Sequence, residues 1–584
     1  MAVTASDRDH DHVLAGSYAE LRRDGRLLTK VGVLPVVVVW DGEAAYAIED
    51  RCPHLGFPLR QGTVEPGMIT CHWHHARFDL VSGCTFDPWA DDATAFDVHV
   101  DGDEVWVVPR PAGDRVAHLQ ERLRQGLEGS ISLVVAKAVL GLLDAGVDPA
   151  AIVRTGIEFG VANRAEGWGA GLTVLVGMAN LLPHLDAEDR PLALVHGLME
   201  VARDTAGHPP RFAEPPLATT DIGTERLAGW YRRFVETRSP DGAERTLATA
   251  LAALDAGRVA LADVEAMLTA AATDHVLLDE GHTLDFTNKA MEAVGHLGPA
   301  SAPVVLPSVV RQTALAERSE EQSEWRHPVD LVALLDMAVG ELPERVRAGP
   351  SRSPLDEARL EPLAWQVLDD EPGVVLDALL DAVGDGATGE QLGRAVAYAA
   401  ALRIVRFHTR NDVGDWNTVH HAFTTANALH QTLQRVTTPE AWRGVLHSAL
   451  RVHLDRFLNV PAARLPTAQA GDLAELAACW DRQGAVDEAA AIVAGHLRAG
   501  GDRRAAIAAL GRGLLAEDAG FHWYQLAEAG ARQSLAWPEG SEPPVLILAG
   551  VARFLAAHTP TRRERPTVVR TAARLRRGEA LFED

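Results

Sequence analysis

Between residues 26 and 110 the apolar positions come in short runs rich in valine and aromatic residues, the lengths of β-strands rather than helices. Runs at 31–40, 45–49, 68–71, 96–100 and 105–108 predict strands, broken by Asp-Gly turns at 41–42 and 101–102. The Pro-Arg-Pro-Ala-Gly-Asp segment at 109–114 ends that pattern and reads as a linker. Beyond it alanine, leucine and arginine recur at helical spacing, and Gly, Pro and Asp mark the breaks. Helices are predicted over 132–145, 149–163, 172–182, 191–204, 243–256 and 259–278, within a set of roughly twenty. The expected architecture is multidomain: a small all-β domain at 12–110, then a large, almost all-α helical domain at 115–470, with a helical-hairpin region at 471–584.

Composition narrows the class. The 584 residues are 47% hydrophobic with a net charge of −26. That acidic surplus argues against nucleic acid, whose phosphates demand a basic footprint. No run approaches the ~20 apolar residues of a membrane span, and the opening MAVTASDRDHDH lacks an apolar signal core. A soluble, cytoplasmic protein is expected, with oligomers allowed. Four cysteines give no disulfide framework, and Cys84 and Cys479 read as small buried hydrophobes. Positive charge is nearly all arginine; Lys30, Lys137 and Lys289 are the three lysines.

Cys52-Pro53-His54 and Cys71-His72-Trp73-His74 carry the clearest chemistry. Two thiolates and two imidazoles can hold the irons of a [2Fe–2S] centre unequally, which raises its potential above that of an all-thiolate cluster. The same donors also suit a Cys₂His₂ zinc site. The flanks, Leu55-Gly56, Pro58-Leu59, Gly62, then Ala76 to Leu80 and Gly83, favour the iron–sulfur reading. With them, residues 12–110 resemble the Rieske family, in its ferredoxin or oxygenase form.

That resemblance implies Cys52 and Cys71 on one iron, His54 and His74 on the other, and an electron-donating reductase or ferredoxin as partner. Position 75, a glycine in the family pattern, is His75, which puts the second loop's geometry in question. Phe57 and Trp73 stand where the respiratory-chain type has a disulfide. Ala76 and Phe78 stand where it has hydroxyls near the cluster sulfurs. A potential low in the Rieske range of about −150 to +300 mV follows.

The helical region holds histidines its fold alone does not require. On one continuous helix, His275, Asp279, His282, Phe286 and Lys289 fall in a stripe, with His296 at its edge. His275, Asp279 and His282 are thus candidate ligands of a second, non-haem iron. In a second cluster His408, Asp415 and His420 are candidate catalytic groups, positioning substrate or moving protons. His421, about 100° around the helix from His420, is read as orienting its neighbour. Glu158 and His196 are weaker candidates. The Rieske oxygenase iron motif is not matched: its second histidine falls on Thr287, and after Asp415 the spacing to His420 and His421 is wrong. A diffuse likeness to questin-oxidase-type helical oxidases, at 133–160 and 419–424, carries no residues over.

Two functions are therefore expected. In one, the Rieske centre passes single electrons to a second site in the helical domain, where a small organic substrate is oxidised with oxygen. In the other, the chain is a non-catalytic electron relay or redox sensor whose helices form a docking scaffold.

Overall fold

The valine run at 36–39 becomes a strand buried on both faces, and the β-region is built around it. In the computed structural model, residues 12–109, 114–219, 221–348 and 354–577, with 579 and 581, are described; most of the 109–114 linker lies outside them. Among the described residues there are nine strands: β1 (Val13–Ser17), β2 (Arg26–Val31), β3 (Leu34–Trp40), β4 (Ala45–Glu49), β5 (Thr63–Glu65), β6 (Met68–Thr70), β7 (Arg77–Asp79), β8 (Ala95–Asp101) and β9 (Glu104–Val108). The larger sheet has the order β1-β9-β8-β4-β3-β2, the smaller β5-β6-β7, and the pairings are antiparallel.

Because side chains alternate along a strand, the valines of β3 serve two cores. Val37 and Val39 join Ile48, Ile69, Phe78, Cys52 and Cys71. Val36 and Val38 join Leu21, Leu27, Phe96, Val105 and Val107 on the other face. Each fully buried valine is worth roughly 1.5–3 kcal/mol, so the run that sequence marks as a strand also fixes the sheet behind the cysteines. The single strand expected over 31–40 is two, because the chain reverses between β2 and β3. β1, β5 and β7 carried too little apolar pattern to be foreseen.

The chain divides into two compact units, one from the described residues of 1–148 and 567–584, the other from Pro149–Pro566. The first adds a helical hairpin, Arg115–Glu128 and Ser132–Asp144, to the strands. The second is helical throughout, and the chain has twenty-three α-helices after the strands among the described residues. Helices predicted at 132–145, 149–163, 172–182, 191–204 and 243–256 form within a few residues of those bounds. The one predicted at 259–278 ends at Ala272. Gly389–Val405 is buried at every position but Glu390, and its buried Arg394 and Arg403 are hydrogen-bonded to backbone carbonyls.

Three helices matter most in this second unit: His282–Leu297, Trp416–Leu433 and Phe521–Leu535. A buried polar network joins them. Lys289 Nζ lies 2.8 Å from Glu292 and 2.9 Å from Glu528. Arg532 donates to Glu292 (2.5 Å) and to Gln431 (2.6 Å). Lys289 was read as part of a site-facing stripe; it is 1% exposed and neutralised by two carboxylates. Removing one partner of such a buried set strands the other charges. Lys289→Met is expected to destabilise this unit by about 3–5 kcal/mol, read as a lower urea midpoint at unchanged slope.

Candidate functional site

In the first unit the two Cys/His boxes fold into loops of one shape. Cys52 N–H donates to Phe57 O (2.8 Å) and Gly56 N–H to Cys52 O (2.7 Å). Likewise Cys71 N–H donates to Ala76 O (2.8 Å) and His75 N–H to Cys71 O (3.0 Å). Each loop turns on a left-handed residue four positions after its cysteine: Gly56 at φ 84° and His75 at φ 63°. His75 therefore adopts the conformation a glycine would take, and the second loop keeps its geometry.

The loops bring the four candidate ligands together. Both cysteines are buried, and their thiols share a hydrogen bond that pulls Cys71 down to about 6 while it and burial push Cys52 up. The His54 and His74 rings meet edge to face at 4.8 Å, and Trp89 lies against His54 at the same separation. His54 Nδ1 is buried without a hydrogen-bond partner among the described residues. Burial first, then the charges of His74 and Lys137, hold His54 down at about 4, so the ring is neutral at physiological pH. Two thiols and two imidazoles converging from matched loops are a donor set that fits a [2Fe–2S] group. Of the remaining cysteines, Cys479 is buried as expected, whereas Cys84 is exposed in a turn.

In the second unit the structure replaces the expected stripe. The helix starts at His282, not before His275, because Leu277, Asp279, Glu280 and Gly281 all have positive φ and break it. The three non-glycine residues among them cost about 1–3 kcal/mol each, and such residues concentrate where a site imposes them. His275, Asp279 and His282 are consequently not brought together. Both ring nitrogens of His275 are occupied, by Glu320 (2.5 Å) and Glu236 (2.7 Å). Asp279 accepts from Glu317 N–H (2.7 Å) and Thr283 (3.4 Å). His408 accepts from Arg410 N–H in a turn (3.1 Å). Asp415 accepts from Asp412 N–H (3.1 Å) and lines a cavity of about 530 Å³ with Thr418, Arg451, His453 and Asp455. Glu158 is exposed beside Arg154, and His196 is buried against Tyr524 OH (2.8 Å).

What does converge is a set of four histidines. His420, His421 and His522 present ring nitrogens that all lie within 4.8 Å of one another. His282 joins them, 4.7 Å from His421 and stacked on His522 at 5.9 Å, ring centre to ring centre. Phe286, Phe521 and Phe554 surround the group. Adjacent His420 and His421 both face it, contrary to the expectation that one only orients the other. His522 was missed; its sequence neighbourhood, Phe-His-Trp-Tyr, gives no ligand spacing to the others.

Partners on the far side fix the ring faces. His421 Nδ1 pairs with Glu280 (2.8 Å), leaving Nε2 buried and unpaired. Gln525 donates to Asp285 (2.5 Å), so its Oε1 accepts from His522 Nδ1–H (3.2 Å). Both nitrogens of His420 are buried with no hydrogen-bond partner among the described residues. Burial, reinforced by mutual repulsion, holds His282 at about 3 and His522 at about 4, and drives His420 well below its ordinary value. Glu280, bonded to His421, falls to about 2. Imidazole nitrogens turned inward, with His421 and His522 held by carboxylate and amide partners, are what a transition metal takes as ligands.

The β-unit defines a class: a small antiparallel domain whose two loops present paired thiols and imidazoles. Residues 11–97 match the family model of the Rieske [2Fe-2S] domain, and the chain belongs to this family through that domain. It is 32% identical over 83 residues to Ferredoxin CarAc of Metapseudomonas resinovorans, covering 14% of this chain and 78% of that protein. It is 32% identical over 90 residues to human (Homo sapiens) apoptosis-inducing factor 3, covering 15% of this chain but only 14% of that one. Among solved structures, the ferredoxin of carbazole 1,9a-dioxygenase from Nocardioides aromaticivorans is similar, with 32% identity, a TM-score of 0.16, and coverage of 17% of this chain and all of that one. A Rieske domain implies electron transfer, and no described helix is long and apolar enough to cross a membrane.

Two substitutions test this local geometry. His75→Gly is expected to stabilise the first unit by about 1 kcal/mol by relieving a left-handed residue, seen as a raised denaturation midpoint with the cluster's visible spectrum unchanged. A Cβ on Gly281, at φ 103°, would lie 1.9 Å from Thr425 Oγ1. Gly281→Ala is expected to displace the 277–281 loop from its helix and to cost more than about 2 kcal/mol of stability, read by urea denaturation.

Proposed function

We propose that this chain is a Rieske-fed oxidoreductase. Single electrons enter at the N-terminal domain from a reductase or ferredoxin and pass to a metal held by the histidine group of the helical unit, where a small organic substrate is oxidised with oxygen. In the first unit Cys52 and Cys71 hold one iron and His54 and His74 the other. A [2Fe–2S] cluster so bound supplies one electron at a time and no substrate chemistry of its own. The likeness to a ferredoxin supports the electron-carrying half of this reading.

The observation that carries the rest is the convergence of His420, His421 and His522, with nitrogens of His420 and His421 unpaired among the described residues and the far sides of His421 and His522 tied to Glu280 and Gln525. These three, with His282 beside them, are the ligands of the second metal; His275 and Asp279 have no part in it. Imidazole donors suit iron, copper and zinc alike, and the electron-transfer domain in the same chain favours iron. A redox metal held there supplies the oxygen chemistry. Glu280 and Gln525 hold His421 and His522 by their far nitrogens and so aim the rings, and Asp285 fixes the Gln525 amide in turn. The cavity lined by Asp415 and Thr418, at the start of the His420 helix, receives the substrate, and Arg451 at its wall draws the Glu280 carboxyl down.

Metal analysis of the purified chain tests this reading. More than two irons per chain are expected, and His420→Ala or His522→Ala should remove the excess while the reduced cluster's EPR signal persists. Glu280→Gln should weaken the second metal about 10–100-fold. Two irons per chain, with no change in any of these variants, would leave the non-catalytic relay as the function.

A further inference from the structure

The first ligand loop is gripped from beyond the Rieske domain. Lys137 lies on helix Ser132–Asp144, forty residues past the end of the family match at 97. Its ammonium donates to the carbonyls of Pro53 and His54, the latter at 3.0 Å. Asp91 meets the same ammonium at 3.2 Å and binds Arg122, on the neighbouring helix, at 3.1 Å. Arg122, itself buried, donates to Pro88 O (3.2 Å) and Ala90 O (2.6 Å). Those carbonyls flank Trp89, whose ring lies against His54. Both helices thus reach the loops around one candidate ligand, and the one lysine of that helix is spent on its backbone.

Reducing a cluster adds one negative charge beside this loop. A fixed ammonium on the loop favours the reduced form, and a carboxylate on the ammonium's far side opposes it. The pair is mostly shielded, with 17% and 22% of the side chains exposed, so added salt screens it weakly.

We propose that Lys137 is a positioning residue that raises the reduction potential of the cluster through the Pro53–His54 carbonyls, with Asp91 as its counterweight. It offsets the loss of hydroxyl donors at positions 76 and 78. The inference rests on the reading of Cys52 and His54 as cluster ligands and is independent of the histidine group in the helical unit.

Redox titration of the full-length chain against a one-electron dye tests it, with iron and acid-labile sulfide measured on each sample. Lys137→Met is expected to shift the equilibrium about tenfold toward the oxidised cluster, about 59 mV for one electron. Lys137→Arg should stay near wild type, and Asp91→Asn should move the equilibrium the opposite way. General damage to the loop would move both charge-removing variants in one direction, and the EPR line shape with them; that result, or an unmoved Lys137→Met, overturns the proposal. If Lys137→Met loses iron and sulfide, Asp91→Asn decides, a raised potential supporting the counterweight and an unchanged or lowered one refuting it. Wild-type protein without acid-labile sulfide would instead sink the ligand assignment itself.

Discussion

Burying an imidazole nitrogen with nothing to pair it is unfavourable by about 1–3 kcal/mol, and the rest of this structure is arranged around places where that is tolerated. Among the described residues, His54 Nδ1 in the β-unit and, within the histidine group of the helical unit, both nitrogens of His420 and Nε2 of His421 are such orphans. Each lies among other metal-capable donors. The surrounding protein does the opposite of relieving them. For His54 and His420, burial and neighbouring imidazoles make protonation harder, so those rings cannot escape by taking up a proton and meeting a carboxylate. His275 shows the alternative this molecule uses elsewhere: two glutamates, both ring nitrogens satisfied, and a proton held more tightly than usual.

Holding unpaired groups together needs stiffness from outside the site. In the helical unit this comes from the same three helices that carry the histidines. His282 opens its helix, His522 is second in its own, and His420 and His421 lie in the second turn of theirs. Further along, Lys289, Glu528, Arg532 and Gln431 cross-link those helices through charge-assisted bonds. Histidines near helix N-termini also sit in a positive backbone field, which favours the neutral ring.

What was legible in the sequence was local. The two Cys/His boxes each form within one loop, so their spacing alone displays the donor set, and the buried valines of β3 declare themselves by composition. The four-histidine group draws on three helices more than two hundred residues apart between His282 and His522, and no spacing rule connects them. The stripe expected from His275 to Lys289 failed for a nearer reason. Asp279-Glu280-Gly281 was extrapolated as helix, yet its three residues take left-handed conformations, and a helical projection has no meaning across such a break. The sequence did mark the region by concentrating ionisable residues there. It could not say that Lys289 faces glutamates while Glu280, two residues before His282, turns to His421 from another helix.

The strained loop and the paired carboxylate are best understood together. A regular helix through 275–282 would present Glu280 about 160° around the axis from His282, so the two could not face one imidazole from the same segment. Breaking the helix with consecutive left-handed residues lets the chain place Glu280 on His421 and, two residues later, His282 beside the same ring. Gly281 makes this workable because the loop comes so close to the next helix that a Cβ there would overlap Thr425. The strain therefore has an identifiable product: one short segment supplies both a ring of the histidine group and the carboxylate that orients a second ring.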